Sequence, residues 1–410
     1  MKTFKLTLIG IVALFTTGCS DEANKGQDEP KSRMEMNTEE EKISNVEIEN
    51  AFSVFKDMTD ATTSDRDNIV YSPLSKDLCL GMVANALVDI DRDRIVGIMG
   101  ASSATALNEF NKNRLNYFSY NNEKAKVFFA NSIWANSRWM TSEQQFGTTA
   151  GIIKQYYDAE CRVLDFSSTD VRAQINKWCS EKTNGMIDGF GMSAPSVNRI
   201  QSIILNTMYF DCAWKEPFIK DTTTPCSFYK ADGIQRLGGV NMMTATQDLA
   251  AEWTETFAAF SMPYADCNYS AVFVLPDKGK TIREILPDVK NMLLSHVLDN
   301  KETRKCEISI PRFTTTNEYN ITKYINNSGI SINDCILSGF DSEMVSIIKQ
   351  AVNLSVSESG TKIATGTEWT GLCTAISGTP IRLDRPFLMI VKDNNHGSIL
   401  LMAAIQMPKE

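Results

Sequence analysis

Histidine is almost missing from this chain: His296 and His396 are the only two in 410 residues. A hydrolase of the Ser-His-Asp kind needs an imidazole base, so two positions at most could serve such chemistry. Neither has a supporting motif. There is no G-x-S-x-G, no H-E-x-x-H and no glycine loop for a phosphate. His396 falls in a turn-like Lys-Asp-Asn-Asn-His-Gly-Ser run, and both histidines are expected to be exposed and without chemistry. Paired cysteines are missing too. Of ten cysteines one, Cys19, lies in a leader, and the other nine are widely spaced with no C-x-x-C. That pattern is neither a zinc site nor a disulfide framework; most are expected to be small buried hydrophobes with no obligatory disulfide. Basic excess is absent, with 41 Lys and Arg against 50 Asp and Glu. A net charge of −9 argues against a nucleic-acid partner, which would need phosphates neutralised. No motif calls for a cofactor or a metal.

Long apolar runs are absent as well. The one near the start, Leu6 to Phe15, follows Lys2 and Lys5 and precedes small residues and Cys19. It is too short for a comfortable transmembrane helix and reads as a secretory signal. It also resembles a bacterial lipoprotein signal, in which the cysteine becomes the lipidated N-terminus; Thr16 stands where that pattern usually has Leu. Residues 20–44 carry Asp21, Glu22, Asp28, Glu29, Glu35, Glu39, Glu40 and Glu41 against Lys25, Lys31, Arg33 and Lys42. With so little apolar content the stretch is expected to be a disordered acidic tether. The expected organisation is a signal at 1–18, lipidated Cys19 and tether over 19–44, and one domain over 45–410. The protein is then exported and held by Cys19 in a bacterial cell envelope, at the outer membrane or cell surface.

Within the domain the pattern changes along the chain. The first half carries helical periodicity: Val46, Ile48, Ala51, Phe52 and Phe55 share a face, and Ser72-Pro73 is a helix start ahead of Leu78, Leu80, Met82 and Val83. A further helix carrying Ile175 and Trp178 stops at Asn184-Gly185. The second half is dominated by short β-branched or aromatic runs such as YSAVFVLP, CEISIPRF, SIIKQAVNLSV and RPFLMIVKD. Helices first and strands later predict an α+β fold in which helices cover large sheets. Between two of the last strands lies SESGTKIATGTEWTGLCTAISGTP, Ser357 to Pro380, rich in Gly, Thr and Ser. Loops of that length without structure of their own are uncommon and often functional.

Several of these segments, in this order, resemble the serpins, a family of single-domain protease inhibitors. NIVYSPLS (Asn68 to Ser75) is similar to the start of that family's second helix. ANSIWAN (Ala130 to Asn136) with DFSS and INKWCSEKTNGMI looks like its central helical block. LNTMYFDCAWKEPF (Leu205 to Phe218), with Asn206, Trp214 and Phe218, matches a family signature. MPYADCNYSAVFVLPDKG, ISIPRF and DRPFLMIVKDNNHGSILLMAAIQMP complete the set. The resemblance implies helices packed on a large central sheet, two further sheets and an exposed reactive loop at about 358–380. It implies a monomer that is no enzyme. A target protease cuts the loop and forms an acyl-enzyme, and the loop then inserts as a new central strand, trapping the protease covalently.

Glu358, Gly360 and Thr361 match the hinge of that loop. Beyond them Ile363, Thr365, Thr367 and Trp369 fall on one parity, and Lys362 and Glu368 on the other. Successive strand residues face opposite sides, so the charges are sorted to one face, as insertion requires. Ile363 and Gly366 stand where inhibitors of the family usually carry alanines. The resemblance places Ser72, Ser75, Asn206 and Gln350 in a polar cluster between central strands, Gln350 standing where many members have His, and Trp214 at the top of the sheet. Counting from Gly360 puts the bait bond at Thr374–Ala375, with Cys373 and Ala375 as alternative residues before the cut. Small residues there point to an elastase-like serine protease as partner. Non-inhibitory binding, or inhibition of papain-like or subtilisin-like proteases, are the alternatives.

Overall fold

The computed structural model describes residues 31–32, 34–87, 89–140, 142, 146–185, 200–322, 324, 346–361 and 380–410. Cys19, Ile363, Thr365, Thr367, Thr374 and Ala375 lie outside the described residues, as do Cys335 and Cys373.

The helices in the described residues are α1 (Thr38–Ala61), α2 (Pro73–Ala86), α3 (Asp89–Ile98), α4 (Ala104–Phe118), α5 (Gly147–Tyr157), α6 (Val171–Lys182) and α7 (Ile282–Leu294). The early strands are β1 (Ile69–Tyr71), β2 (Tyr120–Asn121), β3 (Ala125–Asn136), β4 (Ala159–Leu164) and β5 (Ser202–Ala213). Then come β6 (Thr224–Tyr229), β7 (Arg236–Trp253), β8 (Phe257–Pro263), β9 (Tyr269–Pro276), β10 (Arg304–Pro311) and β11 (Phe313–Asn320). The last are β12 (Ser346–Ser357), β13 (Gly360–Thr361), β14 (Ile381–Arg382), β15 (Phe387–Asp393) and β16 (Ile399–Ile405).

Local chemistry explains most of the helix starts. Asn37 caps α1 by accepting from the Glu39 and Glu40 N–H groups, while Glu40 reaches back to the cap N–H. Glu39, Glu40 and Glu41 occupy the first turn, where the positive end of the helix dipole favours them. This corrects the expected tether over 19–44: its last acidic residues are the N-terminus of a helix that begins ahead of 45. Ser72 caps α2 and Pro73 takes the first helical position, where its missing N–H costs nothing. Asn184 and Gly185 adopt left-handed φ values of 52° and 78° just beyond α6. The ANSIWAN motif is not helical; it lies on β3, paired along its length with β5.

β11-β12-β13-β5-β3-β2 form the central sheet, with β4 beside β3. A second sheet runs β1-β16-β15-β9-β8-β7, and the long β7 continues into a third with β6, β10 and β14. β15 and β16 are buried on both faces, which is why they read as unbroken apolar runs rather than alternation. α2 is buried nearly all round and touches β5, β12 and β16. Its two charges survive burial by pairing, Lys76 to Asp77 at 2.7 Å. α1 and α7 close the other face of the second sheet through Phe52, Phe55, Ile285 and Val289.

Candidate functional site

The central sheet has a seam. β5 and β12 run parallel and pair only at their lower ends, from Ser202–Ser346 to Leu205–Lys349. Above that rung their places as partners are taken at the top by two residues of another strand. After Ser357 the chain turns through Glu358 and Ser359, and Gly360 and Thr361 return between the strands. Thr361 pairs with Val356 on β12 and with Cys212 on β5, antiparallel to both.

Each residue of this turn is held. A side chain at position 360 would put its Cβ 2.3 Å from the Cys212 carbonyl oxygen and 2.8 Å from Ala213 Cα. Both are backbone atoms of the neighbouring strand, so only glycine fits. The Thr361 hydroxyl lies 2.6 Å from the Tyr264 hydroxyl, and burial pushes that phenol's pKa well up, keeping its proton available. Trp214 stacks on Tyr264 with centroids 4.7 Å apart. It donates its indole N–H to the Ser357 carbonyl and its backbone N–H to that of Ser359, both at 3.0 Å. Glu358 is buried; its Oε1 accepts from Thr223 Oγ1 at 2.8 Å and from Arg312 Nη1 at 3.3 Å. Arg312 also pairs with Glu410, and that bond, helped by Glu358, holds the guanidinium above even arginine's usual pKa.

Below Thr361 the seam is an open cleft of about 20 Å³, lined by Met208 and Phe210 from β5 and Val352 and Leu354 from β12. Val391 and Leu401 of the second sheet form its floor. The cleft ends at a polar fork. Gln350 and Ser72 exchange two hydrogen bonds: the Ser72 N–H donates to Gln350 Oε1 and Gln350 Nε2 to the Ser72 carbonyl, both 2.8 Å. Ser72 Oγ donates to the Leu400 carbonyl at 2.6 Å and accepts the Ser75 N–H at 3.2 Å. Asn206 joins differently from the expectation. Its amide donates to Asn131 Oδ1 at 2.7 Å, and Asn131 donates onward to the Tyr157 carbonyl. Gln350 is therefore the partner of Ser72, while Asn206 ties β5 to β3.

Sequence reasoning passed over Tyr264, Arg312, Thr223 and Asn131 as site residues. Tyr264 and Arg312 sit inside the MPYADC and ISIPRF motifs, so the signal was present without a role attached. The histidine expectation fails for one residue: His396 is buried, whereas His296 is about half exposed and faces Asp299. Among the described cysteines Cys79, Cys179, Cys212, Cys267 and Cys306 are buried and unpaired, and Cys161 and Cys226 are partly buried.

The family model for Serpin (serine protease inhibitor) matches residues 47–408. The chain is a serpin. Its relatives include human Serpin I2, 25% identical over 85% of this chain and 88% of its own length. Serpin-Z10 of Arabidopsis thaliana is 24% identical over 85% of this chain and 94% of its own. Among solved structures, the thermophilic serpin Tengpin in its native state overlays with a TM-score of 0.78 at 22% identity, covering 93% of this chain and 97% of that one. Human thyroxine-binding globulin complexed with its hormone overlays at 0.79 and 19% identity, over 91% and 100% of the two chains. At such identities the overlays establish the fold alone. Most serpins inhibit proteases and are not enzymes, and the thyroxine-binding globulin in complex with thyroxine shares the fold.

Proposed function

We propose that this serpin is an inhibitor of elastase-like serine proteases, working by cleavage at Thr374–Ala375 and insertion of the loop into the β5–β12 seam. The observation that carries the reading is the seated hinge, with Gly360 and Thr361 already between the two strands above the apolar cleft. Each residue further along the loop would meet one residue lower on each neighbour. On that register Ile363 falls between Phe210 and Leu354, and Thr365 between Met208 and Val352, the four side chains that line the cleft. Thr367 falls between Asn206 and Gln350, and Gly371 between Ser202 and Ser346. Among the described residues β5 and β12 pair those two serines with each other, and Gly371 reaches that rung of both strands. Thr374 and its acylated protease would then pass just beyond the lower end of the sheet.

The outward residues fit the same register. Lys362 would lie beside Asp211, and Glu368 beside Lys349. Opposite charges directly across a ladder stabilise pairing, each by about 0.2–1 kcal/mol. In the reaction the protease serine attacks the Thr374 carbonyl, the Ala375 amine leaves, and insertion outruns hydrolysis of the acyl bond. Export by the leader and anchoring through a lipidated Cys19 in a bacterial envelope belong to the same proposal, as does action as a monomer.

Mixing the mature protein with pancreatic elastase and running a denaturing gel tests this. The expected result is an adduct stable to detergent and a released C-terminal peptide whose mass begins at Ala375. Clean cleavage with no adduct would sink the inhibitory reading and leave a serpin fold used as a substrate or carrier.

A further inference from the structure

The segment ahead of α1 is tied to the folded body at several points. Lys31 Nζ donates to the carbonyls of Asn116 at 2.7 Å, of Tyr117 at 3.2 Å and of Ser119. Those carbonyls belong to the C-terminal end of α4, where unpaired acceptors and the negative end of the dipole favour a cation. The same ammonium stands 4.7 Å from the Tyr120 ring centroid. Asn268 Nδ2 donates to the Lys31 carbonyl at 2.6 Å, and Met34 and Met36 pack against the main core. The last tie is His396 in the β15–β16 turn, whose Nε2 lies 2.6 Å from the Met34 carbonyl.

That contact constrains the protonation of the ring. His396 Nδ1 lies 3.0 Å from Asp393 Oδ2, which also accepts the backbone N–H groups of Asn395 at 3.1 Å and His396 at 2.8 Å. A carbonyl oxygen only accepts, and a carboxylate oxygen already receiving two N–H groups is an acceptor as well. Both ring nitrogens therefore face acceptors. A neutral imidazole has one N–H and satisfies one of them; the imidazolium satisfies both. Asp393 is fully buried and the His396 side chain is 1% exposed, so water does not fill the gap. The other titratable groups of this corner are Tyr117 of α4, edge-on to the imidazole at 5.5 Å, Tyr269 of β9, cross-strand from Asp393, Tyr120 of β2 and Lys31 of the segment itself. Behind the turn Lys392 is paired with Asp299, which also faces His296.

We propose that the segment carrying Lys31, Met34 and Met36 is a proton-gated strap, latched to the body through those residues while both nitrogens of His396 are protonated and released when one proton leaves. Residues 19–31 can span at most about 40 Å and residues 19–38 about 65 Å, so release would lengthen the maximum reach from Cys19; that gain rests on anchoring at Cys19, whereas the latch itself does not.

Amide hydrogen exchange of the full mature chain, scanned from about pH 5 to 8 and corrected for intrinsic rates, reads the latch. Residues 31–37 should be protected at the acid end and lose at least about tenfold of that protection at the alkaline end, the effect of one charge-assisted hydrogen bond. His396→Gln keeps a single donor that does not titrate and should make the protection flat with pH. Lys31→Met should lower protection at every pH and leave the pH dependence in place. Nitrogen chemical shifts of His396 in the unaltered chain add a readout that needs no variant: both nitrogens should carry protons at the acid end. Flat protection in the native chain, unchanged pH dependence in His396→Gln, or a neutral His396 ring at the acid end would each overturn the proposal. None of these depends on protease inhibition, so failure here leaves the inhibitory reading untouched.

Discussion

The two ends of the β5–β12 seam are built from the same pair of strands and behave as opposites. At the lower end Ser202 to Leu205 and Ser346 to Lys349 are hydrogen-bonded to each other. At the upper end the strands are already parted by Gly360 and Thr361, and among the described residues no strand occupies the apolar cleft beneath them. Gln350 and Ser72 mark where one regime gives way to the other. A sheet closed along its length would leave the loop no way in, and one open along its length would leave two strands with unpaired backbone. The half-closed seam pairs the lower backbone and, on the proposed mechanism, would leave the upper rungs to be completed by insertion.

That contrast can be broken at four places. Thr361→Arg should have the largest effect. It forces a charge into a position that is 3% exposed, between two backbones and against Tyr264. A cost of several kcal/mol would cut adduct formation by about a hundredfold or more while cleavage by elastase continues. Gly360→Ala should come next. Its Cβ meets backbone atoms of β5, and overpacking of about 1–3 kcal/mol would unseat the hinge and reduce the adduct-to-cleavage ratio roughly five- to hundredfold.

Gln350→Ala acts on the fork instead. Losing both bonds to Ser72 leaves a buried N–H and carbonyl unsatisfied, at about 2–4 kcal/mol. Melting of the native protein should fall by several degrees, and the lower seam should open more readily, seen as faster adduct formation or spontaneous loss of inhibitory activity on warming. The smallest effect belongs to the outer face. Asp211→Lys or Lys349→Glu places like charges beside Lys362 or Glu368 on the inserted register, and each should slow trapping by up to about fivefold. If these two variants inhibit as the parent does, the register is wrong even though the seam is right.

Much of the site was legible before any coordinates, because its rules are local. Thr361 shares the parity of Ile363 and Thr365, and it is buried; the runs YSAVFVLP and RPFLMIVKD read as strands and are β9 and β15. Ser72-Pro73 marked the start of α2 for the same kind of reason. Other features were not legible. The resemblance groups Asn206 with Gln350, yet it turns to Asn131, which stands directly across from it on β3. The acidic run at Glu39 to Glu41 reads as tether by composition and becomes helix because Asn37 caps it and the core of α1 lies immediately after. His396 looked like an exposed turn residue, since nothing nearby in sequence reveals that Met34 will cover it.

Alternation along the loop, the glycine at its hinge and the absence of proline before Pro380 were settled by the sequence, since backbone geometry makes successive side chains face opposite ways wherever the strand is placed. Where Gly360 and Thr361 are placed was settled by the tertiary structure. Pairing between β5, β12 and β13 joins segments distant in the chain, and each rung is a competition between backbone partners that no local pattern records. The upper rungs went to the hinge and the lower rungs to the two parallel strands, because Gly360 fits against the Cys212 carbonyl and the Gln350–Ser72 bonds stand just above the last closed rung.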